Sequence, residues 1–185
     1  MPITAEITDD VILASFKTGS NPELAFRQLV HKYQERLYWH IRRMVVAHED
    51  TNDILQNVFI KVWKNLADFR QESNLYTWMY RIATNETLSW IEAQKRRTSV
   101  SMSDNEDFFA EKLEAQKDFD PKKIEWKLQR AMQALPEKQR IVFSLRYYDE
   151  MPYEKMAEVL DTSVGALKAS YHHAVKKVEA YLVND

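Results

Sequence analysis

Residues 152–177 read PYEKMAEVLDTSVGALKASYHHAVKK, and their spacing sets the architecture expected of the whole chain. Pro152 suits the start of a short helix that carries Met156, Ala157 and Leu160 on one side, the small Ala157 permitting a close helix approach. Asp161 holds a turn position where glycine is common, and aspartate is among the few residues that tolerate a left-handed backbone. Ser163 then caps a longer helix with Val164, Leu167, Tyr171, Ala174, Val178 and Leu182 inside. Upstream, Pro136 opens a helix with Ile141, Val142 and Leu145 on its inner face. Asp120 and Pro121 offer a cap and first turn for another, running through Ala134 with Ile124, Leu128, Ala131 and Met132.

Composition agrees with helices. The 185 residues include only two glycines and five prolines, which starves a sheet of turn residues. We expect an all-α protein of two small helical domains. With no cysteine there is no disulfide framework and no thiolate for structural zinc, which fits a reducing cytoplasm. The first twenty residues lack a basic start followed by an apolar run, and no stretch is apolar for the length of a membrane span.

In the N-terminal half, Thr8 suits the cap of a short helix with Val11, Ile12 and Phe16, ended by Gly19. Asn21 and Pro22 open a second helix, with Phe26, Leu29, Val30, Tyr33, Leu37 and Ile41 on one face. A third, after Asp50 and Thr51, places Ile54, Leu55, Val58, Phe59, Val62, Trp63 and Leu66 inside and leaves Asp53, Gln56, Asn57, Ile60 and Lys64 outside. Ser73 is expected to cap a fourth. There Leu75, Trp78, Met79 and Ile82 share one face while Tyr76, Tyr80, Thr84 and Thr87 share the other, so two aromatics point away from the core. Leu88, Ile91 and Glu86 fall out of phase, and this helix is either contacted on two faces or bent. Trp39, Trp63 and Trp78 read as core.

Between the halves, residues 98–120 lose periodicity, and acids there far outnumber Lys112 and Lys117. This is the composition of a linker. The domains therefore span 1–97 and 121–185, joined by the acidic segment 98–120, with few contacts expected between them.

Residues 152–177 look like a helix-turn-helix, in which one short helix braces a second in the major groove of DNA. The outward positions of the second helix are Gly165, Ala166, Lys168, Ala169, His172, His173, Lys176 and Lys177, with Ser163 at its start. This basic, small-residue face suits phosphates and base edges. A solvated lysine-rich helix is the bland alternative. The formal charge of −2 argues against a protein that coats DNA unaided. Enzyme readings fare badly: histidines 31, 40 and 48 are scattered, His172 and His173 diverge on a helix, and no P-loop, Gly-x-Ser-x-Gly or zinc-protease pattern occurs. No metal or other cofactor is expected.

The segment LPEKQRIVFSLRYYDEMPYEKMAEVLDTSVGALKAS (135–170) resembles domain four of the extracytoplasmic-function (ECF) subfamily of the sigma-70 family of RNA polymerase sigma factors. DILQNVFIKVWKNLADFR (53–70) and YTWMYRIATNETLSWIEAQKRR (76–97) resemble their domain two. Together these run from residue 53 to residue 170 in the family's order.

The resemblance implies a non-enzymatic, cytoplasmic subunit that lends RNA polymerase its promoter specificity. It implies docking of Asp53, Gln56, Asn57 and Ile60 on the clamp helices of the largest subunits, although Asn57 stands where relatives often carry an acid. The loop Phe69, Arg70, Gln71, Glu72, Ser73 and Asn74, with Tyr76, Tyr80, Arg81 and Asn85, matches the element that captures an unstacked base of the minus-ten element. Stacking on an aromatic with polar groups at the base edge makes such capture plausible; packing under a neighbouring helix is the other reading of the two tyrosines. Lys95, Arg96 and Arg97 suit either the helix dipole or DNA phosphates. The second domain is expected to read the minus-thirty-five element and meet the polymerase flap, and an anti-sigma factor is a possible further partner. The runner-up is a helix-turn-helix regulator with an N-terminal ligand-sensing or dimerisation lobe.

Overall fold

A computed structural model describes residues 7–19, 21–98 and 124–184. The first lobe holds α1 (Asp9–Thr18), α2 (Pro22–Val45), α3 (His48–Asn65) and α4 (Leu75–Thr98); the second holds α5 (Ile124–Gln133), α6 (Glu137–Tyr147), α7 (Tyr153–Leu160) and α8 (Val164–Asn184). The expected acidic segment 98–120 and the cap at Asp120 and Pro121 fall almost wholly outside the described residues.

Most helix ends follow from local chemistry. Asn21 Oδ1 accepts the Leu24 backbone N–H at 2.9 Å, with Pro22 in the first turn. Gly19 ends α1 at φ 77° and Asp161 ends α7 at φ 49°, both left-handed as their residue types allow. Two starts differ from expectation. Asn74, not Ser73, caps α4, its Oδ1 accepting the Thr77 N–H at 2.8 Å. Helix α3 begins at His48 behind Ala47, whose carbonyl accepts the Thr51 backbone N–H at 3.1 Å and the Thr51 hydroxyl at 2.7 Å, so Thr51 lies within the first turn.

The larger apolar core runs through the first lobe, including Ile12, Leu29, Leu37, Ile41, Ile54, Val58, Val62 and Met79, and continues into the second through Ile141, Val142, Leu145, Met151, Met156, Val159 and Leu167. A smaller cluster of Ala131, Met132, Leu135, Phe143, Ala174 and Val178 belongs to the second lobe alone. The expectation of few contacts between lobes therefore fails: α7 packs on α4, and α6 on α2. Spacing within each helix shows that a face is apolar, but not whether its partner lies in the same lobe.

Polar groups complete the seam. The last carbonyls of a helix lack partners within it, and the second lobe supplies one: the Gln129 and Gln133 side-chain amides donate to the Arg43 carbonyl near the end of α2, at 3.3 and 2.9 Å. Lys95 at the end of α4 pairs with Glu137 at 2.7 Å.

The doubt over α4 resolves as contact on two faces. Thr77, Tyr80, Thr84 and Thr87 are all buried alongside Met79, Ala83 and Ile91, and Glu86 pairs with Lys61 of α3. Two tryptophans depart from the core reading. Trp39 is 49% exposed and Trp63 39%; Trp63 stands edge-on to Phe16 and Phe26, with ring centroids 5.3 and 4.9 Å away. A tryptophan buries one edge and leaves another wet, a split that periodicity does not resolve.

Candidate nucleic-acid interface

Helix α8 presents the open part of the site. Ser163 Oγ accepts the Ala166 N–H at 3.3 Å, fixing the start of the helix. Leu167, Ala174 and Val178 face inward. Gly165, Ala166, Lys168, Ala169, His172, His173, Lys176 and Lys177 are all exposed. Lys168 does not simply project: its ammonium lies 5.7 Å from the Tyr153 ring centre, and the Arg146 guanidinium lies 5.2 Å from the same ring. Tyr153 was not singled out from sequence. It opens the bracing helix rather than the outward-facing one, and only the crossing of α7 over α8 brings it to Lys168.

On α3, Asp53, Gln56, Asn57 and Ile60 are exposed along one face, with Ile60 at 45%. Trp63, three residues on and so a neighbour of Ile60 on the helix surface, extends this apolar strip. That spacing was present in the sequence; the assumption that tryptophan is core concealed it.

The loop before α4 is mixed. Phe69 is buried, its ring centroid 4.8 Å from that of Trp78, and its carbonyl accepts from the Lys17 ammonium at 2.6 Å. Phe69 therefore anchors the loop and offers no free ring. Arg70, Gln71, Glu72 and Asn74 are exposed and Ser73 is half-buried, as are Arg81 and Asn85 exposed on α4. A cleft of about 540 Å³ separates Arg70, Glu72, Ser73 and Arg81 from Ala157, Glu158 and Asp161 of the second lobe. Of the basic cluster ending α4, Arg96 and Arg97 are exposed, and Lys95 pairs with Glu137.

The tyrosines of α4 do not point away from the core. Tyr80 is fully buried. Its ring lies 5.0 Å from that of His40 and 4.5 Å from that of Tyr76, and its hydroxyl donates to Asp149 Oδ1 at 3.2 Å. Tyr76 is half-buried beneath Arg36, whose guanidinium lies 5.2 Å from the ring centre. Burial pushes both phenols above their ordinary pKa, with the Asp149 carboxylate adding to the shift. The packing alternative for Tyr80 is the one this arrangement displays. Its physical reason lies in Asp149, a loop residue of the other lobe.

Comparison with known proteins gives this geometry a family. Residues 29–97 match Sigma-70 region 2 and residues 125–178 match Sigma-70, region 4. The chain is 31% identical to the ECF RNA polymerase sigma-E factor of Haemophilus influenzae, over 94% of this chain and 95% of that one. The chain belongs to the ECF sigma factors. Identity to the sigma-E factor of Escherichia coli (strain K12) is 30%, over 96% and 95% of the two chains. Among solved structures, CnrH in complex with the cytosolic domain of CnrY matches with TM-score 0.68 and 22% identity, over 96% of this chain and 98% of that one. The sigma factor RpoE from Bartonella quintana, in complex with the anti-sigma factor NepR, matches with TM-score 0.69 and 20% identity, over 86% and 98%; both likenesses concern the fold. This ECF protein is an alternative sigma factor that directs RNA polymerase to promoters, and the reading as a ligand-sensing or dimerising regulator is not favoured. Among its described residues no helix is long and apolar enough to cross a membrane.

Proposed function

We propose that this sigma factor acts without catalysis of its own, in the cytoplasm, by dividing the promoter between its lobes. Residues 1–97 dock on the clamp helices of core polymerase through Asp53, Gln56, Asn57 and Ile60, and handle the minus-ten element through Arg70, Gln71, Ser73, Asn74, Tyr76, Arg81, Asn85, Arg96 and Arg97. Residues 121–185 read the minus-thirty-five element through α8 and meet the flap, with 98–120 as the linker. An anti-sigma factor is a further candidate partner, since both structural neighbours were solved with a second protein, in one case named as such.

The observation that best supports this division is the exposed basic row of α8, backed by an apolar inner face. Phosphates are met by cations and base edges by short side chains, and this row offers both. The test is in vitro transcription with core polymerase and a library of promoter sequences. Transcripts from templates sharing two spaced elements are expected; binding of promoter duplex by the chain alone, with no dependence on core enzyme, would reverse the reading.

A further inference from the structure

The seam between α2 and α4 gathers donors that the proposed function leaves unused. Arg43 Nη1 lies 3.4 Å from Asp149 Oδ1, and the Tyr80 hydroxyl donates to the same oxygen at 3.2 Å. His40 Nδ1 faces Asp149 Oδ2 at 3.5 Å, where neither atom makes a hydrogen bond. The His40 side chain is 1% exposed and that of Asp149 8%. On the far side of the ring, His40 Nε2 sits 3.0 Å from Thr84 Oγ1, which orients the imidazole toward the carboxylate. Three groups from two helices of the first lobe thus converge on one anion brought by the second.

The surroundings continue the pattern. Arg36 covers Tyr76 and Tyr76 packs on Tyr80, while Arg43 reaches the shared Asp149 carboxylate and lies over the Tyr148 ring of the second lobe at 4.2 Å. Cations beside aromatic rings are the chemistry of single-stranded nucleic-acid binding, in which bases stack and phosphates are neutralised. Asp149 places its carboxylate among these groups. Its contacts are longer than the roughly 2.7–2.9 Å of charge-assisted bonds, and its Oδ2 makes no hydrogen bond.

Resting on the sigma-factor reading, we propose that His40, Arg43 and Tyr80 form an anion site that Asp149 fills in the closed chain. When the lobes part, a backbone phosphate of single-stranded DNA takes its place. The second lobe is then an internal competitor for the strand. Opening exposes Tyr80 beside Tyr76, so burial of Tyr80 in the closed form and stacking by it in the open form are two states of one surface.

The test uses the full chain. It has no cysteine, so Gln34→Cys and Glu179→Cys give two dye sites that report lobe separation by energy transfer. Binding is read by anisotropy of a labelled single strand of roughly a dozen nucleotides. The near-isosteric Asp149→Asn is expected to lower energy transfer and tighten strand binding about tenfold, by releasing the competitor. Arg43→Gln is expected to open the lobes without tightening binding. Added to Asp149→Asn, it should return the affinity and lower the salt slope by about one. Unchanged energy transfer and affinity in Asp149→Asn would overturn the proposal. So would an Arg43→Gln chain that binds as tightly as Asp149→Asn, which would make Asp149 a steric cover rather than a stand-in for phosphate. Melting curves accompany each variant, and transcription with core polymerase runs in parallel: loss of parental transcription would overturn the sigma-factor reading, while the strand measurements still decide the anion site.

Discussion

Helix α8 and the α2–α4 seam are built from similar materials and presented in opposite ways. Both align cations with aromatic or small side chains: Lys168 lies near Tyr153 on one, and Arg36 and Arg43 lie near Tyr76 and Tyr80 on the other. The α8 row faces solvent along its length, while Tyr80 and His40 lie under a carboxylate from the opposite lobe. Residue type therefore marks a surface as suited to nucleic acid without saying whether it is available. The same fold leaves one such surface open and covers the other.

The largest expected effect tests the cover. Leu145 is fully buried within the core that joins the lobes, so Leu145→Ala should cost about 2–5 kcal/mol in urea unfolding. If tryptophan fluorescence, dominated by the first lobe, and helicity shift together, the lobes unfold as one unit; a shift in one signal alone would show them to be independent.

On the open side the effects are smaller and separable. Lys168→Ala should cost about 1–3 kcal/mol of holoenzyme binding and relax preference at one minus-thirty-five position, whereas Lys176→Ala should weaken all sequences alike and lower the salt slope by about one. If Lys168→Ala changes only the salt slope, the stack on Tyr153 holds it to the backbone, and selectivity rests on Ala166, Ala169, His172 or DNA shape.

Ile60→Glu sharpens the comparison from a third surface. The side chain is 45% exposed, so the melting free energy should move by no more than about 0.5 kcal/mol while affinity for core polymerase drops. A collapsed melt would place Ile60 in the core.

A pH dependence at the seam, confined to the alkaline range, is the last test. Burial pushes the Tyr148 phenol up to about 12, with the neighbouring Arg43 pulling the other way. Its folded pKa exceeds the ordinary value of about 10, so the stability it contributes is complete below about pH 10 and declines as pH rises toward 12. Tyr148→Phe should remove that share of the alkaline loss in a melting series at pH 9–12; an unaltered profile would show the hydroxyl to be solvated in the folded chain.

Much of this was legible beforehand because it is local. The caps at Asn21 and Ser163, the left-handed Gly19 and Asp161, and the inner faces of α2 and α8 each depend on residues within a turn or two. Errors arose where a side chain has two plausible environments. Trp39 and Trp63 read as core by spacing although both remain partly wet, and Tyr76 and Tyr80 fall on the face opposite Met79, where spacing leaves both base capture and packing under a neighbouring helix open. Asn74 displaced Ser73 as cap by a single position, a choice between two competent side chains.

By itself, then, the sequence determined the all-helical class, the two sets of helices, the helix-turn-helix geometry and the outward row of α8, since periodicity and capping act over a few residues. Only the tertiary structure decided that α7 packs on α4, that Tyr153 meets Lys168, and that Asp149 enters the donor set of His40, Arg43 and Tyr80. Those residues lie up to 109 positions apart in the chain, and nothing in local periodicity encodes which apolar face meets which once more than one pairing can bury the same area.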